Sequence, residues 1–322
     1  MIELHEQLVS ELEANKLELQ KALGGTDEAI ALRERRLYLQ AQIHGSATAD
    51  VERDAADLVL AYNTLAMAKL QTDCVKEAAR LLAKAHLLTG RTQTLLVDTR
   101  SRLQLRAITL NNLGCLYKKW GKPRVALKFL DRALTLESRH PTLENPAGTH
   151  LNMSACYGTI GMHKDAAKHA LKAIYLLEQP SQSGEDTNNT SIPQREAKLE
   201  NEAGGGQHNK SGAKDGDGGC SNSTSLLAVA YFNLAAEQEH LQRLLDAASS
   251  YETAIQVARR ELGSDHAMTR GLQKAAANSR QKSKERARNA RRAQERKDQN
   301  CTTYSTPRIG MLKLYPQVMI LG

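Results

Sequence analysis

Residues 111–134 read NNLGCLYKKWGKPRVALKFLDRAL. Apolar residues at helical spacing run to a Trp-Gly-Lys-Pro break, and a second amphipathic run follows. The stretch is one copy of a unit. Taken from Ile108, it recurs as AGTHLNMSACYGTIGMHKDAAKHALKAI at 147–174 and as VAYFNLAAEQEHLQRLLDAASSYETAI at 229–255. A further copy, VLAYNTLAMAKLQTDCVKEAARLLAKA, lies at 59–85. Each first run carries a small residue at mid-length: Ala66, Gly114, Ser154, Ala235. Each second run opens on Ala78, Ala126, Ala166 or Ala247 and repeats the alanine seven residues on, at Ala85, Ala133, Ala173 and Ala254. Small residues where two helices cross let their backbones approach. Two helices of this length cannot bury their apolar stripes alone, so stacked neighbours must complete the core.

The unit resembles the tetratricopeptide repeat, whose W-x₂-L-G-x₂-Y…A-x₃-F pattern is matched by Leu110, Leu113, Gly114, Tyr117, Ala126 and Leu130. The resemblance covers roughly residues 57–262, minus an insert. It implies an all-α fold, a tetratricopeptide-type helical-hairpin solenoid. Gly114 and Ser154 are 40 positions apart, more than the usual spacing of about 34. ARRELGSDHAMT at 258–269 is similar to the LG-x-DHP linker of kinesin-light-chain-like repeats, with Asp265 and His266 matching and Ala267 in place of proline. This repeat style implies a cytoskeletal, motor or ciliary setting.

The organisation expected along the chain starts with a capping helical hairpin over 1–45, with Thr26 or Asp27 capping its second helix. A free coiled coil is disfavoured there, because the apolar pattern lasts too few heptads. Repeats one to three occupy 56–179. Residues 180–224, rich in Gly, Ser and Asn, form a disordered insert. Repeat four spans 225–262, a basic helix 265–298, and an unstructured tail 299–322.

The chain has 322 residues, a net charge of +8, 41% hydrophobic residues and 4% aromatic ones. From Arg270 to Asp298 there are eleven Lys/Arg against three acids. The basic excess therefore lives in one segment. Five scattered cysteines without a C-x-x-C pair fit reduced thiols in an intracellular protein. The N-terminus has acids where a secretory signal would be basic, and no run reaches the length of a membrane span. A cytoplasmic, cytoskeleton- or cilium-associated location is expected.

Catalytic chemistry is not expected. GGGQHNKS at 204–211 approximates a phosphate-binding loop, with Asn209 at the last glycine. Its low-complexity flanks lack the strand and helix that would aim backbone N–H groups at phosphate. Cys156, His163 and His169 fit no structural zinc spacing. No cofactor and no metal are expected.

Binding is expected instead. The resemblance implies that the first helix of each repeat lines a concave groove. Asn112, Asn152 and Asn233 share one register, and Asn63 lies one residue earlier. Such amides suit the backbone of a peptide or helix from a partner protein, since each donates and accepts. The competing reading is hydrogen bonding between repeats. Asn111 has no echo and reads as ordinary surface. Lys118 and Lys119 sit at the inner rim. Relatives that hold chaperone C-terminal carboxylates pair basic residues with the asparagines. Here the matching positions are Asn63 and Met67, then Gly148 and Asn152, so a chaperone tail is disfavoured. The basic helix offers Lys282, Lys284, Arg286, Arg288, Arg291, Arg292, Arg296 and Lys297 to a polyanion such as an acidic tubulin tail. It lacks interleaved aromatics for base stacking and large apolar residues for membrane insertion. The alternative is a nucleic-acid-associated adaptor acting through this helix.

Overall fold

A computed structural model of the chain describes residues 2–22, 25–46, 48–90, 95–96, 98–139, 146–179 and 221–303. The motif at 204–211, residues 180–220 of the insert and residues 304–322 of the tail lie outside the described residues. The remaining insert residues, 221–224, form the first turn of a helix.

Among the described residues all regular structure is helical: α1 (Ile2–Lys21), α2 (Asp27–His44), α3 (Ala49–Gln71), α4 (Val75–Leu88), α5 (Thr99–Lys119), α6 (Pro123–Arg139), α7 (Pro146–Thr159), α8 (His163–Glu178), α9 (Ser221–His240), α10 (Leu244–Leu262) and α11 (Ala267–Thr303). They divide into two compact units, Met1–Gln273 and Lys274–Gly322.

In the first unit the helices pair as hairpins, α1 with α2 through α9 with α10. First helices touch along the stack, α3 to α5, α5 to α7 and α7 to α9. Each second helix touches the first helix of the next hairpin. Second helices are splayed from one another, so they form an outer layer with grooves between them. The fold is a tetratricopeptide-like helical-hairpin solenoid.

The repeated alanines explain the hairpins. Ala78, Ala126, Ala166 and Ala247, and their partners seven residues on, are all buried. A methyl group added at Gly114 would come within 2.6 Å of the Leu130 side chain, so larger residues are excluded at this crossing. Tyr117 stacks on Phe129 beside it, with ring centroids 5.1 Å apart.

The turns share one geometry. α3, α5, α7 and α9 each end on a left-handed residue: Asp73 (φ 61°), Gly121 (71°), Gly161 (79°) and Gln242 (63°). The next residue's N–H bonds five residues back, Cys74 to Lys69, Lys122 to Tyr117, Met162 to Tyr157 and Arg243 to Gln238, at 2.8 to 2.9 Å. This is the Schellman termination, and it sets the same reversal in every repeat.

The link from α2 to α3 matches that from α10 to α11. Gly45 (φ 82°, ψ 163°) and Gly263 (φ 88°, ψ 165°) occupy the same glycine-only region. α2 packs on α3 as each later second helix packs on the next first helix. Thr26 caps α2 by accepting from the Ala29 N–H, and Arg35 ties α2 to Glu11 of α1.

Candidate interaction surfaces

The asparagines do not line an open groove. Asn63, Asn112 and Asn152 are only 3%, 2% and 2% exposed. Asn63 Nδ2 donates to Val59 O (2.8 Å) and Thr109 Oγ1 (3.0 Å), and Asn112 Nδ2 donates to Asn63 Oδ1 (2.9 Å). Asn152 Nδ2 donates to Asn111 Oδ1 at 3.0 Å. These amides join α3 to α5 and α5 to α7. The groove assignment for these three therefore gives way to hydrogen bonding between repeats. The physical reason is their register: two residues before Gly114 or Ser154, a side chain points away from the second helix of its own hairpin, and the neighbouring first helix covers that face. Asn111, which reads as surface, is an acceptor in the ladder.

Asn233 breaks the series. Its Nδ2 is buried without a partner. The acceptor supplied by α5 is Asn111; the position 40 residues on in α7 is Leu151, which can accept nothing. Lys119 is drawn sideways, with Nζ 3.0 Å from Asp73 Oδ1 in the preceding turn. Lys118 is half-buried. Its charge favours the thiolates of Cys115 and Cys156, but burial outweighs it and pushes Cys156 up to about 11.

Titratable groups fill the later interfaces. Glu137 accepts from Thr149 Oγ1 at 2.9 Å, while its second oxygen is buried without a partner. Burial raises its pKa to about 7 against the lowering effect of Thr149. His150 Nδ1 lies 2.8 Å from His169 Nδ1. Burial, then the charges of His169 and Lys172, push His150 down to about 4. His163 Nδ1 meets Glu237 Oε2 at 2.7 Å and stacks on His240, 4.2 Å between centroids. Of the weighed zinc set, His163 thus pairs with Glu237 and His169 with His150. Among the described residues no three His, Cys, Asp or Glu side chains gather as metal ligands.

In the second unit, Lys282, Lys284, Arg286, Arg288, Arg291, Arg292, Arg296 and Lys297 all lie on one helix, and all eight are exposed. At about 100° per residue they surround the helix axis instead of forming one stripe. Arg291 pairs with Glu295 at 3.0 Å. No helix among the described residues is long and apolar enough to cross a membrane.

The outer layer holds a feature that repeat matching passes over. A groove of about 650 Å³ runs along α8 beside the α9–α10 turn. Ala167, Leu171, Tyr175 and Leu241 form its floor, and Lys164, Lys168, Lys172 and Arg243 its rim. The signal was in the sequence, as lysines and apolar residues each spaced by four. A smaller groove, about 420 Å³, lies between α2 and α4 over Leu58 and Tyr62.

No protein-family model matches the sequence, and no curated protein matches it. Solved structures do. BtubC (BKLC) from P. vanneervenii is 15% identical over 91% of this chain and 97% of its own, with a TM-score of 0.48. A Podospora anserina putative kinesin light chain with nearly identical TPR-like repeats is 15% identical over 78% and 99%, with a TM-score of 0.46. A point variant of that protein is 16% identical over 80% and 96%, with a TM-score of 0.43.

Proposed function

We propose that the chain is a non-enzymatic scaffold or adaptor. It holds a peptide or helix of a partner protein on its stacked hairpins, and basic α11 is an electrostatic anchor. The observation that carries this reading is the division of labour among the polar groups. Asn63, Asn112, Asn152 and most buried titratable groups are engaged inside the stack, whereas the lysines of the α8 groove and of α11 face outward. Repetition gives an extended surface instead of a closed pocket, and extended surfaces suit partner segments. Lys118 and the half-buried Asn233 and Asn111 remain as inner-layer candidates for this contact. A chaperone carboxylate is disfavoured for want of the basic clamp residues.

The cations surrounding α11 suit a diffuse polyanion, such as an acidic tubulin tail on a cytoskeletal or ciliary surface, in the cytoplasm. The same distribution favours a second reading, a nucleic-acid adaptor. Affinity capture with the full chain and with a 280–303 deletion separates the two. The scaffold reading expects the deletion to retain its protein partners and lose only salt-sensitive ones. Recovery of RNA alone, abolished by the deletion, would establish the second reading and remove the first.

A further inference from the structure

We propose that the outward face of α8 is a docking site for an acidic amphipathic helix of a partner protein. This rests on the scaffold reading and names its surface and partner class.

Two parallel ridges define the site. Leu171 and Tyr175 are 53% and 66% exposed, large apolar side chains held in water on the outer layer. With Ala167 they repeat every four residues. Beside them run Lys164, Lys168 and Lys172 at the same spacing, spanning about 12 Å of helix axis. Ridges inclined at four-residue spacing are what a second helix packs against. Arg243 closes the far side and shares its charge with Asp246 at 2.7 Å. Among the described residues no carboxylate lines the groove.

The groove between α2 and α4 shows that such cations need not stand unopposed. There Lys84 meets Glu34 at 2.7 Å, and Tyr62 Oη donates to the same carboxylate at 2.6 Å. That groove is apolar but internally neutralised, so it selects no charge. At α8 the field is left open, and an occupant must bring leucine-like side chains for the floor and carboxylates for the rim. Nucleic acid has nothing to pair with Leu171. The acids come from the partner in this arrangement, giving salt-sensitive association with an apolar contribution.

The test measures fluorescence anisotropy of a synthetic 20-residue amphipathic peptide, leucine along one face and glutamate flanking it, against the full chain. A control peptide replaces each glutamate by lysine. Lys164→Glu/Lys168→Glu/Lys172→Glu should weaken the glutamate peptide about tenfold or more, and Leu171→Ala/Tyr175→Ala by a smaller factor. Both variants change side chains on the outward face and should keep the wild-type helical circular dichroism. Deleting 280–303 should leave binding unchanged. Equal binding of the control peptide, indifference to the triple reversal, or loss on deleting α11 would overturn the proposal. Sedimentation covers the other occupant. If wild type self-associates and the triple reversal is monomeric, the groove takes a second copy, through an acidic face such as Glu6 and Glu13 of α1, and the partner assignment is wrong. If the triple reversal retains every captured protein, the scaffold reading stands and only this site fails.

Discussion

Between α3 and α5 the buried polar groups are amides and a hydroxyl: Asn112 on Asn63, and Asn63 on Thr109 and Val59. From α6 to α9 acids and bases join the amides: Glu137 on Thr149, His150 on His169, His163 on Glu237. The backbone unit is the same. Amides keep donors and acceptors matched at any pH, whereas acids and bases match only within a protonation window. The interfaces from α6 to α9 should therefore carry a pH sensitivity that the Asn63–Asn112–Thr109 network lacks. The network's worth is the largest expected effect. Asn63→Ala removes both donated bonds and leaves Asn112 Nδ2 buried and unpaired, which should cost about 3–4 kcal/mol. Denaturant midpoints should show the same loss at pH 5 and at pH 8. A loss below about 1 kcal/mol would mean that the ladder is dispensable.

Acid and base should act in opposite directions on the later half. Glu137 has a raised folded pKa, about 7. Its contribution is fully present below the unfolded value near 4.5 and is lost as pH rises through 7. The span corresponds to about 3 kcal/mol. His150 has a lowered folded pKa, about 4 against 6.5. Its contribution is present above 6.5 and lost as pH falls toward 4. Glu137→Gln should remove the alkaline loss, so its stability relative to wild type should rise by about 3 kcal/mol from pH 4 to pH 8. His150→Gln should flatten the acid side. Hydrogen exchange should show α7–α9 opening before α3–α5 at pH 5. Parallel pH profiles for wild type and Glu137→Gln would dissolve the contrast between the halves.

The repeat was legible because its signals are local. Alanines seven residues apart and a small residue at mid-helix are packing demands that any copy must meet, and all are buried as expected. The Asn register was equally legible, but its meaning was not. One face of a first helix looks outward in an isolated hairpin and becomes covered once the next hairpin stacks on it. Asn112 and Asn233 occupy the same register; whether either finds an acceptor depends on the neighbour, Asn63 in one case and Leu151 in the other. The α8 lysines were in plain view but their joint exposure was not, since it depends on how far the outer helices splay.

That neighbour dependence gives one substitution two signs. Asn112→Leu should destabilise, because it strips Asn63 of its donor. Asn233→Leu should stabilise by about 1–2 kcal/mol, because it deletes a buried donor with no acceptor. Thermal unfolding of the pair distinguishes the two sites without any partner. Equal destabilisation would mean that Asn233 is satisfied after all.

The turns permit the finest comparison. Gly121 and Gly161 hold the left-handed position at no steric cost, whereas Asp73 and Gln242 hold it at φ 61° and 63° with a side chain attached. A left-handed residue other than glycine costs about 1–2 kcal/mol, and glycine gives back part of that gain through the freer unfolded chain. Relief of backbone strain alone favours Gln242→Gly by about 0.5–1 kcal/mol, less whatever the Gln242 side chain contributes through its own contacts. Asp73→Gly relieves the same strain but also deletes the Asp73 carboxylate 3.0 Å from Lys119. An exposed pair of that kind contributes about 0.5 kcal/mol, so its net effect should lie nearer zero. If Gln242→Gly destabilises while Asp73→Gly does not, the Gln242 side chain outweighs its backbone strain, and the two turns differ in more than the residue at their left-handed position.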